Sequence, residues 1–370
     1  LQITPVTVCA SEQQNEASGE EERAMLPRCH LRRCSGLLPL PSPAGSSSPA
    51  GCCLSSDLSE GFRGMSSPRC ISNLMAKEVL LSSQRKYVTT RLCNVSSFST
   101  ELMELHSDEP LLHVLFIPGN PGVISFYKDF IEAAYELLEG KNGENGRTFS
   151  LHDQIDHKID FINQELQNSE VPIVMVGHSI GCYICLEIFK RLPQQVKFTI
   201  GLYPFLTLNK DSLKQSMIGM AAGSPILCVA ISSLSASLGL LPVWLTNGLV
   251  RRSLGHSWSS TAVQATCTHL LQYHTMRNVL FMAMTEFEKL SEEPDWAFMR
   301  AKQDQIALLF GVDDHWGPLS LFEEVKISRQ VPSVALSVER EGHTHAFCCT
   351  EAGSLWVANH VVSLIKNLLG

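Results

Sequence analysis

From Thr89 onward the apolar and polar positions follow a regular order that predicts the elements one by one. Arg91–Val95 and Thr100–Leu105 are short β-rich runs and read as a hairpin. Leu111–Ile117 (LLHVLFI) is almost continuously apolar, as a strand covered on both faces should be. Ser125–Glu139 carries Phe126, Phe130, Ala133 and Leu137 on one helical face, and Leu151–Gln167 carries Ile155, Ile159, Ile162 and Leu166 in the same way. Strand Ile173–Val176, helix Ile180–Arg191 and strand Phe198–Tyr203 follow. Strands Ile306–Phe310 and Val334–Val338 and a helix over Glu351–Leu369 close the chain. Strands alternating with helices predict an α/β architecture, a mostly parallel sheet covered by helices.

Residues 1–74 lack this order. They are rich in Ser, Pro, Gly and Cys, as in Pro39–Cys53 (PLPSPAGSSSPAGCC), with no period of 2 or 3.6. Such a segment cannot offset the entropy of ordering its backbone, so a disordered N-terminal extension is expected ahead of one domain over 75–370. Met75 could be a natural start, and no basic stretch followed by an apolar one suggests a secretory leader. No internal repeat is visible.

Between Gln215 and Val250 there is no Asp, Glu, Lys or Arg, a run of 36 residues. Pro225 and Pro242 leave Ile226–Leu241 between them, roughly 24 Å if helical and short of the ~30 Å that a span requires. The expectation is an apolar helical cap over about 209–300, lipid-facing through 215–250, with Lys210, Lys214, Arg251 and Arg252 at head-group level. The bland alternative is a cap buried over a site.

Composition narrows the partners. Lys+Arg 29 against Asp+Glu 37 gives a net charge of −8 over 370 residues, and no block of like charges occurs, so nucleic-acid binding is not expected. The 13 cysteines are scattered rather than framed for disulfides, which favours a reducing compartment. Cys182-Tyr183-Ile184-Cys185 lies inside a predicted helix and reads as packing, not redox chemistry. The sequon Asn94-Val95-Ser96 is expected to be idle, and the histidines show no metal-ligand spacing.

The sharpest motif is VPIVMVGHSIG, Val171–Gly181, in which G-x-S-x-G follows a strand and opens a helix. In that context the serine, Ser179, sits on a strained turn that lifts its hydroxyl clear of the sheet. A serine needs a base, and the base needs a carboxylate, in chain order Ser, acid, His. The strand at Ile306–Phe310 leads into Asp313 and Asp314, with Asp314 standing immediately before His315-Trp316. His343 and His345 compete as base, and His345, followed by Ala346-Phe347, is preferred. Two N–H groups must receive the developing oxyanion. Ile180, just after the serine, supplies one. Pro118-Gly119-Asn120-Pro121-Gly122 narrows the other to Gly119, Asn120 or Gly122, with Asn120 preferred. Gly255-His256-Ser257 imitates the motif but has no strand before it.

IPGNPG, VGHSIG, Tyr203-Pro204, the uncharged segment, GVDDHW and HTHAF together resemble the lipid droplet-associated hydrolase family, over about Arg91 to the C-terminus. The resemblance implies an α/β-hydrolase fold with Ser179, Asp314 and His345 as the triad, no cofactor, and a lipid ester substrate. It also implies residence on the lipid droplet monolayer and the endoplasmic reticulum membrane. One departure stands out. Gly140–Ser150 (GKNGENGRTFS) offers no strand where the family has one, beside Leu111–Ile117, so a gap in the sheet and impaired activity are expected. The alternative function is a weakly active or non-catalytic droplet scaffold affecting lipid storage.

Overall fold

The structure, a computed structural model, describes residues 6–10, 89–96, 98–104, 111–136, 150–166, 171–209, 211–254, 257–328 and 333–369. Of the expected extension over 1–74, residues 1–5 and 11–74 lie outside the described residues, as do 75–88 and 140–149 of the polar stretch.

An eight-stranded sheet organises the rest. In chain order its strands are β1 (Val6–Ala10), β2 (Thr89–Val95), β3 (Phe98–Glu104), β4 (His113–Ile117), β5 (Ile173–His178), β6 (Val196–Leu202), β7 (Ile306–Gly311) and β8 (Ala335–Glu339). In space they run β2-β3-β1-β4-β5-β6-β7-β8, with β4 through β8 parallel.

Two expectations are corrected here. Among the described residues the sheet has no gap, and residues 6–10 form a strand rather than part of a disordered extension. The slot between the hairpin and β4 is filled by β1, antiparallel to β3 (Val8 opposite Met103) and parallel to β4 (Val8 opposite Phe116). An open slot would leave two rows of backbone N–H and C=O groups unpaired in mid-sheet, and a segment distant in sequence relieves this.

Helices cover both faces, and the period of two along each strand decides which side chain goes where. Val114 and Phe116 of β4 pack on the face that holds α1 (Lys128–Glu136) and α11 (Glu351–Leu369), with Phe130, Val357 and Val361. Leu115 and Ile117 pack on the opposite face with α2 (Leu151–Glu165) and α3 (Ile180–Arg191), through Phe161, Ile162 and Ile188. The first expected helix is split. A 3₁₀ turn at Ile124–Tyr127 precedes α1, which is described to Glu136. Ser150 starts α2 with a capping box, its hydroxyl accepting from the Asp153 N–H and the Asp153 carboxylate accepting in return from the Ser150 N–H.

Between β6 and β7 the chain leaves the sheet as a helical layer: α4 (Leu213–Gly223), α5 (Pro225–Gly239), α6 (Val243–Leu254), α7 (Ser260–Ala265), α8 (Tyr273–Lys289) and α9 (Trp296–Ala301). Ser212 and Ser224 cap α4 and α5, and Pro225 opens α5. The two helices meet at a bend of 98°, and among the described residues no single helix is long and apolar enough to cross a membrane. A short helix α10 (Leu319–Glu323) follows β7.

Candidate active site

Three loops at the C-terminal ends of β4, β5 and β7, and one after β8, converge on Ser179. It occupies the single residue between β5 and α3 with φ 57° and ψ −122°, a backbone conformation that costs a side-chain-bearing residue of order 1–3 kcal/mol. The bend is this tight because Gly177 and Gly181 pass against each other and against the end of β4. A Cβ on Gly177 would collide with the Gly181 carbonyl, and one on Gly181 with the carbonyls of Ile117 and Pro118. The Ser179 N–H donates to the Leu202 carbonyl at 3.0 Å, and its own carbonyl accepts from Phe205 N–H at 3.2 Å, which pins the bend to the end of β6.

His345 Nε2 lies 2.9 Å from Ser179 Oγ, and His345 Nδ1 lies 3.0 Å from Asp314 Oδ2 and 2.9 Å from Oδ1. An ionised carboxylate only accepts, so Nδ1 carries the ring proton and the Nε2 lone pair faces the serine hydroxyl. Asp314 is buried and held from behind by the Trp316 N–H at 2.9 Å. Asp313, the rival, is exposed. His343, the other rival, turns toward Trp356, with ring centroids 5.9 Å apart, and leaves Ser179 to His345.

Of the oxyanion donors considered, Ile180 is the first residue of α3, so its N–H has no carbonyl partner within the helix. The Gly119 N–H is taken: it donates to Tyr127 Oη at 3.0 Å. Asn120, next in the loop, lines a cavity of about 40 Å³ together with Gly119 and Ile180, with Lys158, Gln154 and Met282 on its far wall.

Residues 110–348 match the family model described as Lipid-droplet associated hydrolase, which is more than half of the chain. The chain belongs to that family. Relatives in the family include the lipid droplet-associated hydrolase of Gallus gallus, 28% identical over 66% of this chain and 83% of that one. The protein of the same description from Dictyostelium discoideum is 27% identical over 61% of this chain and 80% of that one. Solved structures place the fold. A haloalkane dehalogenase from Bradyrhizobium elkani aligns with TM-score 0.55 at 14% identity, over 76% of this chain and 99% of that one. An epoxide hydrolase from Vigna radiata aligns with TM-score 0.52 at 14% identity, over 76% and 98%. This lipid-droplet associated hydrolase family member thus has the α/β-hydrolase fold.

One part of the site is invisible to motif reading. His178, the unspecified residue of G-x-S-x-G, is buried and joins three loops: its Nδ1 lies 2.7 Å from Tyr127 Oη and its Nε2 lies 3.0 Å from the His345 carbonyl. Only one tautomer satisfies everything. Nε2–H donates to His345 O, Nδ1 accepts from the Tyr127 hydroxyl, and that hydroxyl oxygen accepts from Gly119 N–H. Burial, helped by the neighbouring His345, holds the His178 imidazole well below its ordinary range, and burial lifts the Tyr127 phenol well above its own. Both stay neutral, so this bridge keeps the Gly119 loop, the bend at Ser179 and the His345 loop in register without adding charge. The paired cysteines Cys182 and Cys185 are buried in α3 with thiols pushed up by burial, which is the packing role expected of them.

Proposed function

We propose that the protein is a serine ester hydrolase acting on apolar lipid esters, sterol esters or acylglycerols, at the lipid droplet surface and the cytosolic face of the endoplasmic reticulum. The observation that carries this reading is the unbroken hydrogen-bond chain Asp314–His345–Ser179 at a strained strand-to-helix bend. Ser179 Oγ attacks the ester carbonyl carbon while His345 Nε2 takes its proton. The backbone N–H groups of Asn120 and Ile180 hold the oxyanion. Collapse breaks the bond to the alcohol, which leaves with the proton from His345. Water, deprotonated by the same imidazole, then attacks the acyl-serine and releases the carboxylic acid. Asp314 keeps the tautomer and steadies the imidazolium. No step calls for a cofactor.

The apolar substrate is argued from the cap. In α5 the inward residues are Cys228, Ser232 and Ser235, while Ile226, Leu227, Val229, Leu234 and Leu238 face out. This inverts the amphipathicity of a helix built for water. Ile226, Leu240 and Trp244 are 80%, 88% and 75% exposed, and Lys214, Arg251 and Arg252 lie at the margins of the same layer. Such a face suits an oily monolayer with acidic or zwitterionic head groups. The family description supports the droplet, and the cytosolic leaflet of the endoplasmic reticulum offers the same surface.

Two measurements test this. A fluorophosphonate probe should label wild type and not Ser179→Ala, and hydrolysis of emulsified cholesteryl oleate or triolein should vanish with it. Folded wild type that neither takes the probe nor cleaves any ester would establish the scaffold reading instead. For docking, combining Ile226→Ser, Leu240→Ser and Trp244→Ser should weaken flotation with triolein droplets coated in phosphatidylcholine by at least about 100-fold, since each buried side chain is worth about 1.5–3 kcal/mol. Unaltered flotation would mean that another surface docks.

A further inference from the structure

Asn120 has a second attachment that neither its motif nor its oxyanion role explains. Its side-chain Nδ2 donates to the Val279 carbonyl at 3.0 Å, and the Glu286 carboxyl, buried on the same helix, feels the pull of that amide. Val279 and Glu286 both belong to α8, seven residues or two turns apart on one face, so the amide is clamped to a single helix of the cap. Glu286 is 4% exposed, and its Oε1 has no hydrogen-bond partner among the described residues.

A carboxyl in such a place is expensive to bury. Its neighbours Leu280, Met282 and Ala283 show what packing alone selects on this face of α8. Burial pushes the Glu286 carboxyl up to about 8, against the pull of the Asn120 amide. Near neutral pH it is therefore mostly the neutral acid, with one O–H to donate and one carbonyl oxygen to accept.

We propose that the Asn120 side chain, bonded to the Val279 carbonyl with the buried Glu286 carboxyl on the same helix face, is a tether through which the cap helix α8 sets the position of the oxyanion loop, so that Glu286 is a positioning residue for ester hydrolysis. This rests on the hydrolase reading above. It deepens that reading by making the oxyanion site depend on the cap. The α8 helix packs directly on α4 and α5, which carry the outward apolar side chains, so a shift of that layer is passed to Asn120 through a hydrogen bond rather than absorbed by a free loop. The cavity between Asn120, Ile180 and Met282 holds about 40 Å³, room for water and not for an acyl chain.

The test compares wild type, Glu286→Gln, Glu286→Leu, Asn120→Ala and the Asn120→Ala/Glu286→Leu double variant on p-nitrophenyl butyrate, with thermal unfolding followed in parallel. Asn120→Ala keeps the backbone N–H and removes only the clamp. Glu286→Leu and Asn120→Ala should each lower kcat by about 100-fold with KM within about threefold, the scale of a misplaced reacting group. Glu286→Gln, which keeps a donor and an acceptor, should restore most of the loss. The double variant should be no worse than either single one, because both substitutions act through the same Asn120 amide. Wild-type kcat in Glu286→Leu or in Asn120→Ala, losses that multiply in the double variant, or a change confined to the melting temperature would each overturn the tether while leaving the hydrolase intact. If Glu286→Leu does not fold, Asn120→Ala alone decides by its kcat. A wild type inert toward both ester and fluorophosphonate fails the underlying reading, and the tether with it.

Discussion

Asp314→Asn should lower kcat on any cleaved ester by about 10,000-fold while the protein unfolds at nearly the wild-type temperature. The reason is the direction of one proton. Asp314 accepts from His345 Nδ1–H and from the Trp316 N–H, so its two oxygens define which imidazole nitrogen is free to face Ser179. An asparagine fills the same space but can turn its NH₂ toward Nδ1, which stabilises the tautomer whose Nε2 already bears a proton. That imidazole cannot receive the serine proton. Asp313→Asn is the matched control: its side chain is exposed at the neighbouring position and reaches neither partner. Steady-state kinetics of the two variants decide the matter. A fall of less than tenfold in Asp314→Asn would remove it as the acid.

The second large effect concerns stability and lies far from the serine. Starting the chain at Met75 should yield protein that aggregates or binds hydrophobic dyes, because it strips β1 from between β3 and β4. Val8→Pro is the milder form of the same experiment. Every residue of a strand flanked on both sides gives its N–H to one neighbour or the other, so proline at any interior position orphans a buried acceptor. Each such loss costs about 1–3 kcal/mol, several degrees in melting temperature for a domain of this size. A Met75 start that melts like the full chain would show that the slot tolerates being empty. It would also show that β1 adds nothing.

The meeting of Ser179, His345 and Asp314 at one point was legible from a glycine-flanked turn and from the chain order Ser, Asp, His at the ends of strands. Gly177 and Gly181 are required by the closeness of two backbones, and their spacing around Ser179 advertises the bend. The strands β4, β5 and β7 were legible because a sheet covered on both faces demands a nearly continuous apolar run. What escaped was non-local. VTVCA at Val6–Ala10 is strand-like in composition, yet five such residues inside a Ser- and Pro-rich region announce nothing until one knows that the sheet has a vacant slot. His178 occupies a position the motif leaves open, and its partners Tyr127 and the His345 carbonyl come from loops 51 and 167 residues away. For Glu286 a signal existed: a carboxyl on the same helical face as Met282 and Ala283 breaks the apolar stripe of α8, and a charge in a stripe is a reason to look for a partner.

The outward leucines of α5 carry a further consequence. A protein held at an oil surface by side chains alone is retained by partition, in proportion to the area of oil it can reach. Its residence is then governed by competition. If the cap docks as proposed, competition for a shrinking surface would displace the apolar layer and leave the folded sheet untouched. On the proposed function, lipid-ester hydrolysis would then slow of its own accord as the store runs down.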